Sequence, residues 1–229
     1  MRERFDPRVF VPRLPGLVLG LVLFGTGIAL MVTSEIGVSP WEVLAQGIAV
    51  RTGLAIGTVG IIVGWVVLVG WIPTGERPGI GTILNILLIG STTNVALDLL
   101  PDLGPLALEA TSAVDLAVRG SLLGGGILCI GLGSGLYLGA DLGPGPRDGL
   151  MTGLHRRYGW SIRRVRTALE IAVLVVGFIL GGTVGIGTII FALTIGPLVQ
   201  WALKAVDREG RVSRRRRAEI AAQGDLAGE

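Results

Sequence analysis

The chain has 229 residues, half of them apolar, with 38 Gly and only 16% charged side chains, and a mean hydropathy of +0.69 that lies outside the balance of a water-soluble domain. One cysteine, Cys129, excludes an intramolecular disulfide and a paired-thiol redox or metal site. A single histidine, His155, with no cysteine near it argues against zinc.

A hydrocarbon core of about 30 Å needs roughly 20 apolar residues of helix, and six such stretches follow a basic leader at residues 1–12. They lie near residues 15–33, 55–73, 80–101, 116–139, 165–182 and 186–206. The first is too long for a secretory signal and leads into no soluble domain, so it reads as a retained span. The expected organisation is a three-helix unit at 13–100, an outer loop at 101–118 carrying Asp102, Glu109 and Asp115, a second three-helix unit at 119–206, and a basic tail at 207–229. Lys and Arg then divide eighteen to two. One side holds the leader with Arg13, Arg77, the segment with Arg147, Arg156, Arg157, Arg163, Arg164 and Arg166, and Lys204 with the tail; the other holds Arg51 and Arg119. Cytoplasmic loops carry the basic excess, so both termini are expected in the cytoplasm. The tail arginines at 214–217 could meet lipid headgroups or nucleic acid, but the reading adopted is a solvated anchor, with no nucleic-acid partner.

Shifting the sequence by 106 residues pairs 13–100 with 119–206, and 28 of the 88 pairs are identical. Gly-Ile-Gly-Thr-Ile from Gly79 matches the same five residues from Gly185, and Pro40 falls on Pro146, Gly47 on Gly153, and Gly53 on Gly159. Apolar bias alone does not keep Pro, Arg and Thr in phase, so the chain is read as a duplication. Each copy holds three crossings, an odd number, so the second enters the membrane upside down. Such inverted-topology repeats occur in secondary transporters, with the binding site near the midplane between copies. The expected fold is all-α: a polytopic membrane protein of six transmembrane helices, a 3+3 inverted repeat with a short extra helix in each half.

The short helices follow a shared turn, Glu35-Ile-Gly-Val-Ser-Pro-Trp-Glu42 in one copy and Asp141-Leu-Gly-Pro-Gly-Pro-Arg-Asp148 in the other. Gly37, Pro40, Gly143 and Pro146 are the helix-breaking positions, and each Pro suits the first turn of a new helix. Helices near 40–50 and 146–157 are too short to span. As re-entrant half-helices they would aim free N–H groups at a central anion. As interfacial helices they would lie flat, with Leu150, Met151 and Leu154 in lipid and His155, Arg156 and Arg157 at the headgroups. The arginine density of the second favours the flat form.

Glu170 is the carboxylate set well inside a span, a site candidate because its ionised form is costly there; Arg166 one turn earlier offers a plain ion pair instead. Asn85, Thr92, Thr93 and Asn94 are expected to bond across helices or to line a solute path. Spacings such as Gly60/Gly64 and Gly135/Gly139 allow close helix packing. The glycine run from Gly131 to Gly139 has no βαβ context and is no dinucleotide site. There is no phosphate-loop lysine, no HExxH and no GxSxG, so neither an enzyme nor a cofactor is expected.

The block from Gly143 to Met151, Arg166 with Glu170, and Gly-Ile-Gly-Thr-Ile-Ile with Gly196-Pro197 resemble the YczE/YyaS/YitT family of bacterial membrane proteins, the YczE branch most of all. The resemblance implies a multi-pass protein of the bacterial cytoplasmic membrane, in a family of which some members are associated with secondary metabolites. It carries over no binding residue. The expected function is small-solute transport or export, with a site between the halves drawn from Glu42, Arg147, Asp148 and Glu170. The alternative is a non-transporting accessory or scaffold protein acting through the basic face. Partners are the lipid bilayer, an unknown small molecule and, plausibly for so thin a bundle, further copies of the chain.

Overall fold

The computed structural model describes residues 10–104, 106 and 112–207. Leader residues Arg2, Arg4 and Arg8, Glu109 of the loop, and the tail from residue 208 with its arginines at 214–217 lie outside the described residues. The described residues form α-helices and no strand: α1 Leu14–Ser34, α2 Pro40–Thr52, α3 Ile56–Val69, α4 Ile80–Leu99, α5 Ala113–Gly139, α6 Pro146–Tyr158, α7 Ile162–Leu180 and α8 Ile186–Val206.

Five segments are long and apolar enough to cross a membrane: Val11–Ser34, Ile56–Thr74, Ile80–Leu99, Ala113–Gly139 and Ile186–Val206. Helix α7 has the length, at 19 residues, but not the apolarity. It starts at Ile162 rather than 165, so Arg163 and Arg164 join Arg166 and Glu170 in its first half. Its second half matches the other helices, with Ile171, Val175, Phe178 and Ile179 exposed, as are Leu19, Val66, Val69 and Leu193 elsewhere. An exterior of this kind is stable against hydrocarbon rather than water.

The centre is the pair α1 and α5, joined through glycines. A Cβ on Gly20 would stand 2.7 Å from the Gly133 carbonyl oxygen, and one on Gly27 would stand 2.6 Å from that of Gly126. As α1 advances from 20 to 27, α5 runs back from 133 to 126, so the two are antiparallel. Gly20 and Gly126 are sequence equivalents at the 106-residue shift, as are Gly27 and Gly133, so the contact is reciprocal. Around this seam Leu17, Leu21, Ile28, Met31, Leu123, Ile127 and Ile130 are buried.

Helix α8 runs parallel to α5, with Gly131 against Leu198 and Gly135 against Ala202. Helix α4 runs antiparallel to α3, with Gly57 against Asn94 and Gly64 against Ile86. Polar groups hold these seams: Asn94 Oδ1 accepts from the Gly57 N–H at 2.8 Å, its Nδ2 donates to Thr58 Oγ1 at 3.0 Å, and Thr93 Oγ1 donates to the Gly25 carbonyl at 3.2 Å. Thr93 and Asn94 thus bond across helices.

Arg119, 2% exposed, closes one end. Its guanidinium donates to Asp115 at 2.9 Å and to the carbonyls of Leu103 at 2.6 Å, Gly104 at 3.1 Å and Ser34 at 3.4 Å. Its equivalent Arg13 donates to the Ala140 carbonyl, the equivalent of Ser34, also at 3.4 Å. A cation near a helix C-terminus is favoured by the free carbonyls there.

Because backbone lies where the added methyl would go, Gly20→Ala and Gly27→Ala should each cost about 1–3 kcal/mol by overpacking. Gly16, whose Cβ would meet nothing within 4 Å, should accept Ala at no cost. Thermal unfolding of the purified variants in one detergent compares them, and equal melting temperatures at all three positions would remove the glycine seam as the organising contact.

Candidate functional site

The two halves meet again where the chain breaks after α1 and α5. Glu35 and Asp141 end those helices in the left-handed region, at φ 56° and 52°, and Gly37 and Gly143 follow at φ 129° and 137°. Only glycine adopts the latter values without strain. The freed carbonyl of Ile36 then accepts from the Gly187 N–H at 3.1 Å, and that of Leu142 accepts from the Gly81 N–H at 3.0 Å. Each half's turn thus rests on the Gly-Ile-Gly-Thr start of the other half's last helix. Thr82 Oγ1 adds a bond to the Pro144 carbonyl at 2.8 Å.

From these turns α2 and α6 start at Pro40 and Pro146 and end at Gly53 and Gly159, φ 73° and 68°. Their N-terminal turns face each other. The Arg147 guanidinium lies 4.7 Å from the centre of the Trp41 ring, and its Nη2 donates to Glu42 Oε1 at 3.0 Å. Trp41 and Arg147 are sequence equivalents, so this contact sits where the two copies exchange. Their C-terminal ends part: Arg51 of α2 donates to the Leu180 carbonyl at the end of α7, at 3.1 Å, whereas Arg156 of α6 donates to the Thr74 carbonyl at 3.1 Å and pairs with Glu76 at 3.1 Å. Thr74 follows α3, at the end of the bundle where α4 begins; Leu180 precedes the start of α8, which runs opposite to α4.

This arrangement departs from the flat interfacial form expected of these helices. Met151 is buried in protein rather than laid outward, as are Trp41, Glu42, Val43 and Gly149. The Trp71 ring covers Gly149 and its Nε1 donates to the Pro146 carbonyl at 2.9 Å. The arginine cost is met differently: Arg156 binds a carboxylate and a carbonyl at the bundle end, and Arg157 is exposed.

Of the residues expected at the site, Glu42, Arg147 and Asp148 are brought together. Glu42 is 6% exposed, while the Arg147 side chain is 38% exposed. Asp148 is exposed, and its Oδ2 accepts from the buried Tyr137 hydroxyl at 3.1 Å. Both acids occupy the third position of a helix, where the free N–H groups favour negative charge. Glu170 lies elsewhere: its carboxylate accepts from Arg166 Nε at 2.9 Å on the half-exposed face of α7. Sequence reasoning did not select Trp41 or Tyr137. Trp41 carries no motif and stands opposite Arg147 at the 106-residue shift, and Tyr137 is a lone phenol in a glycine-rich apolar helix, a polar tip that needs a partner when buried. No group of three or more His, Cys, Asp or Glu among the described residues is placed to hold a metal.

Helices of spanning length that pack through glycines and turn apolar side chains outward define an integral membrane protein. The chain matches a family of unknown function, DUF6198, over residues 11–204, and belongs to it. It is 41% identical over 192 residues to an uncharacterized protein of Haemophilus influenzae, covering 84% of each chain. It is 33% identical over 187 residues to the uncharacterized membrane protein YczE of Bacillus subtilis, covering 80% of this chain and 82% of that one. Similarity extends to the uncharacterized protein YyaS of Bacillus subtilis, at 26% over 191 residues, 83% of this chain and 92% of the other. No solved structure matches the chain.

Removing the Arg147 guanidinium leaves the Glu42 carboxylate buried without its partner. Arg147→Met should therefore lower stability by about 1–2 kcal/mol, less than for a fully buried pair because Arg147 is partly exposed. Adding Glu42→Gln to that variant should recover part of the loss, a coupling read from the double-mutant cycle by thermal unfolding. Strict additivity would show that the ion pair contributes nothing.

Proposed function

We propose that the chain crosses the bacterial cytoplasmic membrane six times as two inverted three-helix repeats, with both termini cytoplasmic, and moves a small solute through the contact between α2 and α6. The observation that carries this reading is the meeting of two short helices, N-terminus to N-terminus, at a charged cluster whose residues come from both halves. Broken helices with charged or polar groups between repeats are how transporters place a solute site inside hydrocarbon. In this reading α7 joins the five apolar spans as the fifth in chain order, its arginines at the cytoplasmic end, consistent with the exposure of Arg163, Arg164 and Arg166. The site is drawn from Glu42, Arg147 and Asp148, while Glu170 keeps its local pair. The basic cytoplasmic face, exposed at Arg156, Arg157, Arg163 and Arg164, is what would serve an accessory protein instead.

Topology is tested with Cys129→Ala as background and a cysteine at Leu54 or Trp160, exposed equivalents just past the two short helices. A membrane-impermeant maleimide applied to intact cells should label Leu54→Cys, and should reach Trp160→Cys only after permeabilisation. Labelling of both from one side would end the inverted-repeat reading. Transport is tested by stopped-flow light scattering of proteoliposomes with neutral, cationic and anionic solutes. Swelling with at least one class should fall tenfold or more in Glu42→Gln and stay within twofold in Glu170→Gln; no swelling with any class would leave the accessory reading in its place.

A further inference from the structure

The duplication supplies an internal control for the basic residues at the start of α7. Helix α7, Ile162–Leu180, falls at the 106-residue shift on Ile56–Thr74, an apolar segment of the same 19 residues. Where the first half has Gly57, Thr58 and Gly60, α7 has Arg163, Arg164 and Arg166. Just before it, Tyr158 and Trp160 stand where the first half has Thr52 and Leu54. The first half forms the equivalent helix without these side chains, so the fold does not require them.

Two arginines at this end are satisfied within the protein, Arg156 by Glu76 at 3.1 Å and Arg166 by Glu170 at 2.9 Å. Three have no carboxylate. Arg51 donates to the Leu180 carbonyl, but its equivalent Arg157 finds the equivalent Thr74 carbonyl taken by Arg156. Arg157 lies instead over the Tyr158 ring, 5.7 Å from its centre. Arg163 and Arg164 are exposed and make no side-chain hydrogen bond or ion pair among the described residues. The rings of Tyr158 and Trp160 stack with centres 5.3 Å apart, and both residues are more than half exposed. His155 Nδ1 donates to the Trp160 carbonyl at 2.6 Å and so ties the end of α6 to the start of α7. Three guanidinium groups and two exposed rings thus occupy one turn between two helices.

We propose that this turn binds the headgroups of anionic phospholipids in the cytoplasmic leaflet, with Arg157, Arg163 and Arg164 on the phosphates and Tyr158 and Trp160 beside them. The inference rests on the six-span reading and is independent of transport. Nineteen residues of helix measure about 28 Å, against a hydrocarbon core of about 30 Å, so α7 has no length to spare. Arg163 and Arg164 then stand within about 3 Å of the hydrocarbon edge, while Ile171, Val175, Phe178 and Ile179 are exposed toward the lipid chains. A span whose apolar stretch is too short is accommodated by local thinning of the bilayer and by snorkelling of long side chains. Both bring lipid phosphates to the guanidinium forks, whose paired N–H donors match phosphate oxygens. Exposed tyrosine and tryptophan settle at the same headgroup level. An apolar helix face that continues directly from the arginines fits a lipid, with its chains, and not a nucleic acid.

The test uses the purified full chain in phosphatidylcholine nanodiscs containing increasing fractions of brominated phosphatidylglycerol or brominated phosphatidylcholine. The quenching of Trp160 is taken as the difference between the chain and its Trp160→Phe variant. An anionic surface attracts each nearby basic residue by about fivefold in affinity, part of which salt screens. Phosphatidylglycerol should therefore quench Trp160 at a tenth or less of the fraction that phosphatidylcholine needs. Arg157→Gln, Arg163→Gln and Arg164→Gln together should reduce that preference below twofold. The same three positions changed to Lys should keep it at fivefold or more, which separates lost charge from lost folding. Arg166→Gln with Glu170→Gln, a pair satisfied within α7, should leave it within twofold of the unaltered chain. Equal quenching by the two lipids, a preference that survives the three glutamines, or displacement of the lipid by inorganic phosphate or an oligonucleotide at lower concentration would each overturn the proposal. Sided cysteine labelling as expected with no lipid preference would sink the headgroup surface and leave the six spans standing. A lipid preference with both cysteines labelled from one side would do the reverse.

Discussion

In hydrocarbon, a backbone that leaves the helix must find partners for its N–H and C=O groups within the protein. Two bonds meet that requirement here, Gly81 N–H to the Leu142 carbonyl and Gly187 N–H to the Ile36 carbonyl. The turns at 35–39 and 141–145 exist only because the last helix of the opposite half offers a glycine-rich start at the right place. Without those partners neither turn could fold inward, α2 and α6 could not begin inside the bundle, and Arg147 would not reach Glu42. The glycines of the Gly-Ile-Gly-Thr block follow from the same constraint, since a Cβ on Gly79 or Gly185 would collide with the carbonyl of Leu142 or Ile36.

Much of this was legible in the sequence. The 106-residue period located equivalent positions, and the structure repeats backbone geometry at those positions, from the left-handed Glu35 and Asp141 to the closing Gly53 and Gly159. Helix existence followed from apolar length, and Pro40 and Pro146 marked helix starts because proline dictates a backbone angle locally. The similarity of the chain to a bacterial protein named as a membrane protein agrees with that reading.

What the sequence concealed depended on long-range partners. The arginines of α6 suggested an interfacial helix because their cost was counted without Glu76 and the Thr74 carbonyl, 80 and 82 residues away from Arg156. Glu170 stood out because an acid in an apolar stretch is conspicuous, yet Arg166 accounts for it locally. Tyr137 carries no motif, and only the fold brings it to Asp148. Arg119 was counted as one of two outer basic residues, and nothing in its surroundings along the chain announced that it would be buried among carbonyls from two distant segments.

The covering of Gly149 by Trp71 has a consequence for the ancestry of the chain. At the equivalent place in the other half Gly177 lies against the backbone of Val43 and Leu44, where no indole intervenes. Two copies of the first half alone would press the indole of one against the isopropyl group of the other. The first half has become a key cut for the second, and it can no longer stand in for its twin.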